Sequence, residues 1–362
     1  MANKLEEARS IINEVDSQMA ELFTRRMEAV KIIYQHKAEH GLPIFDPKRE
    51  NELIEKNSAH VKDDILKEYY VDYIQRVMSI SKAYQHRLQN GLKIAYSGVE
   101  GAFAHIAAGR IFPSAERCGK KDFKSAYDSV VNGECDVVVL PIENSYAGDV
   151  GQTIDLIFSG SLYINGIYEL EVHQNLLGLP DACISDIKKV SSHPQAITQC
   201  RDYIDSHGFE VEESNNTALA AKTIKESNNK AFGAIASVET AEIYGLKVLE
   251  YDINKSKENT TRFAVLSKVK ANSPSLPNTV LMFSVGHQAL SLATAIGIIG
   301  KYGYNMTSLR SRPMKKCSWQ YYFYVEIEGS TETENGDKML NELSKVCDKL
   351  KVAGTFSPHV EI

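Results

Sequence analysis

Two groups of side chains in this 362-residue sequence have the types and spacing to act on a small anion. Apolar residues recur at 5, 8, 12, 15, 19, 22, 29 and 33, and the column 5, 12, 19, 26, 33 reads Leu, Ile, Met, Arg, Ile. Arg26 therefore stands where the repeat calls for burial, and a guanidinium taken out of water needs an anion. Lys37 follows eleven residues on, about 20° round a helix and roughly 16 Å along it, so the two cations share a face. Arg9 is about 100° off that face and roughly 25 Å from Arg26, and reaches the same pocket only from a partner chain. Ser81 and Gln85, four apart and neighbours on one helix face, complete a pocket for a small dianion. The bland alternatives are an arginine that snorkels at a seam or pairs with a Glu, and an Asp46 that only caps a helix.

In the second group, Glu143 and Asn144 end the apolar run VVVLPIEN, where buried sheets present ligand-binding groups. Ser192-His193-Pro194-Gln195 precedes a helical stretch through Gln199-Cys200, and Thr260-Thr261-Arg262-Phe263 enters the run RFAVLSK. Taken singly, a Ser before a helix and a Thr in a strand are ordinary.

Leu5 to about Glu39 contains neither Gly nor Pro, which predicts one long helix. At ~1.5 Å per residue it spans roughly 50 Å, too long to bury its stripe on its own short neighbours, so a helical dimer is expected. His40-Gly41-Leu42-Pro43 breaks it, Asp46-Pro47 opens a second helix to about Ser58, and a third runs from near Lys62 to about Gln89. From Lys93 the runs IAYSG, VVVLPIEN, GIYELEV, FGAIAS and RFAVLSK alternate with helical stretches, the pattern of an α/β domain. SPSLPN (273–278) reads as a linker. Beyond it come strand TVLMFSV, helix 289–301, strands NMTSLRSR and YYFYVEIEG, helix 337–351 and a short strand, a ferredoxin-like βαββαβ module.

With 43% hydrophobic and 24% charged residues the chain has material for two or three cores. A net charge of -6 without a Lys/Arg block excludes nucleic acid as a partner. The charged start MANKLEEARS and the absence of a long apolar run predict no membrane span and a cytoplasmic protein. Cys118, Cys135, Cys183, Cys200, Cys317 and Cys347 form no C-x-x-C pair, against disulfides and thiolate zinc, and the sequons at Asn215 and Asn259 are chance matches.

Residues 1–91 resemble the all-helical chorismate mutase family, whose three-helix chains form an intertwined dimer. The resemblance assigns Arg26 and the partner chain's Arg9 to the substrate carboxylates, and Lys37 and Gln85 to the ether oxygen. Asp46, Arg49, Glu50 and Ser81 complete the pocket. A Claisen rearrangement needs only a held conformer and donors to the ether oxygen, hence no cofactor or metal.

The order GxxGAFAHIAA, PIENS, SHPQAxxQC, TRF resembles the prephenate dehydratase family over residues 92–271. It implies two α/β lobes of periplasmic-binding-protein type with the site in the cleft. Thr261 is then the proton donor to the departing hydroxyl, Arg262 holds a carboxylate, and Glu143, Asn144, Ser192, Gln199 and Phe263 complete substrate binding. Ala102 and Ala104 stand where the family commonly has Ser or Thr. Residues 278–362 resemble an ACT regulatory domain, with Gly286, His287, Gln288, Ala289 and Leu290 at the effector loop and Ser311, Arg312 and Pro313 ending the second strand. Phenylalanine is the implied effector, bound between two such modules, although Arg310 replaces the family's Glu. The expected whole is a homo-oligomer, dimer or tetramer, acting on chorismate and prephenate. A mutase unit reduced to a dimerising arm, and a non-catalytic amino-acid sensor, are the competing readings.

Overall fold

The computed structural model describes residues 2–254, 259–271, 277–314 and 320–362, in two compact units, Met1–Leu92 and Lys93–Ile362. Residues 273–276 of the expected linker and Cys317 lie outside the described residues.

The first unit is three helices, α1 (Ala2–Glu39), α2 (Pro47–Ser58) and α3 (Asp64–Asn90). The Asp46 carboxylate accepts from the Arg49 N–H at 3.0 Å ahead of Pro47, and Asp63 accepts from the Leu66 N–H at 2.9 Å. Gly91, at φ 71°, ends α3 in a conformation that disfavours side chains. α3 buries Ile74, Val77, Met78, Ser81 and Gln85, one face at helical spacing. The α1 stripe behaves differently: Leu5, Ile12, Met19, Leu22 and Ile33 remain 41% to 62% exposed. Each would contribute ~1.5–3 kcal/mol if buried, a stabilisation one chain does not collect.

The second unit starts with β1 (Lys93–Ser97), α4 (Phe103–Ile111), β2 (Glu116–Lys120), α5 (Phe123–Val131), β3 (Val137–Asn144), β4 (Gly148–Asp149), α6 (Gly151–Ser159) and β5 (Tyr163–Glu171). A second lobe follows: β6 (Asn175–Gly178), β7 (Lys189–Ser192), α7 (Pro194–Gln199), α8 (Arg201–His207), β8 (Glu210–Glu213), α9 (Thr217–Ser227), β9 (Phe232–Ala236), α10 (Val238–Tyr244) and β10 (Lys247–Glu250). β11 (Thr260–Ser267) then returns between β3 and β5. Each lobe has its own sheet, ordered β2-β1-β3-β11-β5 in the first and β10-β6-β9-β7-β8 in the second.

The remaining elements are β12 (Asn278–Val285), α11 (Ser291–Lys301), β13 (Met306–Pro313), β14 (Tyr321–Glu328), α12 (Glu334–Leu343) and β15 (Cys347–Phe356), a βαββαβ module of order β13-β14-β12-β15. One face of its sheet carries α11 and α12, whose Ile299 and Met339 share a core with Leu281 and Phe283 of β12. The other shares a core with the first lobe, where Met282, Tyr322, Tyr324 and Phe356 meet Leu140, Ile154 and Ile157. β15 pairs with β5 at Gly354, where a Cβ would collide with the Ile164 carbonyl. The Lys351 ammonium donates to the carbonyls of Ile157 at 2.6 Å and Gly160 at 2.8 Å, capping the end of α6; burial lowers its pKa to about 8.

One expected element is corrected. The helix predicted over 337–351 stops at Leu343, and 347–351 belong to β15, whose ladder along β12 overrides the local helical pattern.

Candidate functional site

In the helical unit the Arg26 guanidinium donates to the Ser81 hydroxyl, and burial pushes its pKa down. Among the described residues no carboxylate pairs with it, so a half-buried cation is left for an outside anion. Gln85 lies next to Ser81, its Nε2 3.4 Å from the Ser81 carbonyl, and its Oε1 is buried without a partner among the described residues. Lys37 is half-buried, donating to the Ile44 carbonyl at 2.7 Å. Glu50 pairs with Lys82 at 2.9 Å. The remaining expected residues are not gathered by one chain: Arg9 is exposed and far along α1, Arg49 faces solvent beside Glu52 at 3.7 Å, and Asp46 caps α2.

In the second unit a cavity of about 300 Å³ opens between the lobes. Asn144 and Thr261, directly paired across β3 and β11, form one wall. Asn144 Nδ2 donates to Thr261 Oγ1 and to Asn259 Oδ1, each at 2.9 Å. Its Oδ1 accepts from the Ala147 N–H at 2.9 Å and from Gln195 Nε2 at 3.1 Å. Asn259 in turn donates to Gln199 Oε1 at 3.1 Å. This chain of amides crosses from one lobe to the other and fixes each member's orientation. Thr261 Oγ1 accepts this bond and donates none among the described residues, which leaves its proton for the cavity.

Four expected substrate contacts are corrected. Ser192 is fully buried, bonded to the Ile235 carbonyl at 2.6 Å, because the end of β7 turns it into the lobe. Phe263 is a core residue, 1% exposed. Arg262 and Glu143 lie on the opposite sheet face from Thr261 and Asn144, since neighbouring strand residues alternate. There Arg262 meets Glu326 and Glu143, each at 3.0 Å. Burial opposes the Glu143 charge, but Arg262 and Arg310 hold its pKa below the usual carboxylate range.

The cavity also presents Phe103, His193 and Gln195, which the sequence offers only as members of the motifs GAFAH and SHPQ, and Gln174 and Asn216, which no motif marks as binding groups. Gln174 is 2% exposed and its Oε1 has no partner among the described residues; a lone amide ahead of the apolar run NLLGL is the available signal. Ala102 lines the wall, whereas Ala104 is buried outside it.

In the last module Gly286, His287, Gln288 and Ala289 line a cavity of about 370 Å³ with Tyr321 and Phe323. Leu290, at φ 67°, is exposed and outside its wall, and Ser311, Arg312 and Pro313 also lie outside it. Arg312 turns instead to Asp155 at 3.4 Å, and Pro313 borders a separate cavity by α5 and α6. Arg310 faces Glu143 and Asp149, so its charge is met by the first lobe and not by the Gly286–Ala289 loop.

A prephenate dehydratase family profile matches residues 94–271, and a type II chorismate mutase profile matches residues 8–86. A bifunctional chorismate mutase/prephenate dehydratase of Aquifex aeolicus is 31% identical over 98% of both chains. Among solved structures, a prephenate dehydratase from Arthrobacter aurescens in complex with L-Phe covers 74% of this chain and 90% of that one, at 25% identity and TM-score 0.68. A protein described as a novel type of quorum quenching acylase covers 73% and 97%, at 30% identity and TM-score 0.68. The chain belongs to the bifunctional chorismate mutase/prephenate dehydratase family, joining an isomerase that forms prephenate to a lyase that converts prephenate to phenylpyruvate in phenylalanine biosynthesis.

Proposed function

We propose that the two activities divide along the chain as residues 1–91 for the mutase, 92–271 for the dehydratase and 278–362 for an ACT-type regulatory module. In the mutase, Arg26 and Arg9 of a second copy hold the chorismate carboxylates. Lys37 and Gln85 donate to the ether oxygen as its bond breaks, with Ser81, Glu50, Asp46 and Arg49 shaping the rest. The unpaired Arg26 and the uncovered α1 stripe favour an intertwined dimer.

In the dehydratase, the observation that carries the reading is the hydrogen bond from Asn144 to Thr261 at the inter-lobe cavity. Thr261 gives its proton to the leaving ring hydroxyl, which departs as water. The electrons of the C–CO₂ bond pass into the ring as CO₂ leaves, and solvent returns the threonine proton. Gln199, Gln174 and Gln195 orient the substrate. The aromatic product supplies the driving force, so placement and one proton are what the protein must add.

Phenylalanine is the proposed effector at the Gly286–Ala289 loop, supported by the L-Phe complex of the Arthrobacter relative. Among the described residues no helix is long and apolar enough to cross a membrane, and a cytoplasmic location is proposed. The full chain is given chorismate while prephenate and phenylpyruvate are followed together. Accumulation of prephenate without phenylpyruvate would remove the dehydratase assignment, and inert chorismate the mutase one.

A further inference from the structure

Behind the cavity wall formed by Thr261 and Asn144, the next residues along the same strands, Arg262 and Glu143, enter an ionic cluster shared with the last module. Arg262 makes a two-pronged contact with Glu326, Nη1 to Oε1 and Nη2 to Oε2, both at 3.0 Å. Its Nη1 also donates to Glu143 Oε2 at 3.0 Å. Arg310 Nη2 donates to that same Glu143 oxygen at 2.6 Å, and its Nη1 is 3.0 Å from Asp149 on β4. Glu326 is 3% exposed and accepts a further bond from the Tyr324 hydroxyl at 2.7 Å.

We propose that Glu326 and Arg310, both from the C-terminal module, are positioning residues of the dehydratase: they clamp Arg262 and Glu143, and thereby hold Thr261 and Asn144 in register at the cavity. The inference rests on reading the inter-lobe cavity as the dehydratase site.

A planar guanidinium gripped at both prongs by one carboxylate has little freedom to rotate or slide. Charges this buried are costly when unpaired, so the four side chains have one low-energy arrangement and resist alternatives. Strand backbones transmit that constraint over a single residue. Burial works against the Arg262 charge, and the bonds and field of Glu326 more than offset it, raising its pKa. The module is thus a working part of the dehydratase site, and whatever shifts β13 and β14 acts on Thr261 through two ion pairs.

The test uses the full-length protein without phenylalanine, comparing Arg310→Met, Arg310→Lys and Glu326→Gln with the parent. Loss of the clamp lowers kcat for prephenate at least about tenfold, the scale of a sub-ångström to 1 Å misplacement, with KM within about twofold. Arg310→Lys retains more activity than Arg310→Met. Hydrogen exchange rises in peptides 137–147 and 260–267 and stays unchanged in α1 to α3, and this readout needs no turnover. If Glu326→Gln does not fold, Arg310→Met, on an edge strand, decides alone. Unchanged kcat and unchanged exchange in a folded Arg310→Met would overturn the proposal, as would an equal loss of mutase and dehydratase activity. A parent that forms no phenylpyruvate sinks the underlying reading, while the exchange data still report on the clamp.

Discussion

Thr261 Oγ1 and Asn144 Nδ2 sit 2.9 Å apart across directly paired strands, and the amide is the donor. Asn144 cannot swing its oxygen toward Thr261, because that oxygen is already engaged by the Ala147 N–H and Gln195 Nε2. The threonine is left with a proton and no internal acceptor among the described residues, the state a general acid needs before substrate arrives.

Replacing Thr261 with Val keeps the shape and removes the proton. Phenylpyruvate formation from prephenate is expected to fall by ~10²–10⁴, the usual worth of one positioned proton donor. Thr261→Ser retains most of the rate, and prephenate formation from chorismate is unaffected in both. A Thr261→Val protein with parental dehydratase kcat would show that the proton comes from elsewhere.

Arg26 supports a paired prediction. It is a half-buried cation with a lowered pKa and no carboxylate partner among the described residues, which is useful to a substrate and unfavourable to the empty fold. Arg26→Leu should abolish the mutase, by at least ~10²–10³, while raising the unfolding free energy by on the order of 1 kcal/mol. Arg26→Lys recovers little activity, since an ammonium lacks the two-pronged grip on a carboxylate. Chorismate turnover and thermal unfolding of the same samples check both halves; a destabilised Arg26→Leu protein contradicts the second.

Helices α1 to α3 were legible because period, breakers and caps agree: Asp46-Pro47 opens α2 and Gly91 closes α3. Asn144 and Thr261 were legible as members of motifs. Arg262 is not legible from the string TRF, because strand alternation sends Thr261 and its successor to opposite faces. Ser192 was misplaced for a related reason, since ending a strand does not say which way the last side chain turns. Asn259, which local spacing marks only as part of a chance sequon, is a buried link between Asn144 and Gln199, a long-range relation that spacing does not carry.

His105 makes the loop from Gly98 to Gly101, ahead of α4, sensitive to acid. It is 5% exposed, and its Nδ1 accepts the Gly101 N–H at 3.1 Å, a bond that protonation destroys. Burial, assisted by Arg117, lowers its pKa from the ordinary 6.5. The folded protein therefore takes up this proton less readily than the unfolded chain does. The stabilisation is whole above pH 6.5, declines as pH falls through 6.5, and levels off below the folded-state pKa. The slope from one histidine is at most ~1.4 kcal/mol per pH unit. Urea midpoints measured between about pH 7 and pH 5.5 should drop less steeply for His105→Gln, whose amide oxygen still accepts but does not titrate. Parallel curves for the two proteins would exclude His105 as the cause.

The last prediction concerns the uncovered α1 stripe and Arg9. If a second copy covers Leu5, Ile12, Met19 and Leu22, it also carries its own Arg9 along the same helix toward this chain's Arg26. Arg9→Ala and Arg26→Ala should each be inactive as mutases when prepared separately. In a heterodimer of the two, one site receives the intact Arg9 of the Arg26→Ala chain and the intact Arg26 of the Arg9→Ala chain, and the other site receives neither. Random reassociation after partial unfolding makes about half of the dimers mixed, so about a quarter of the sites regain function. Recovery of about a quarter of parental chorismate turnover on mixing is the expected result, with dehydratase activity constant throughout. No recovery, despite exchange verified by mass-tagged subunits, would mean that Arg9 serves its own chain or none.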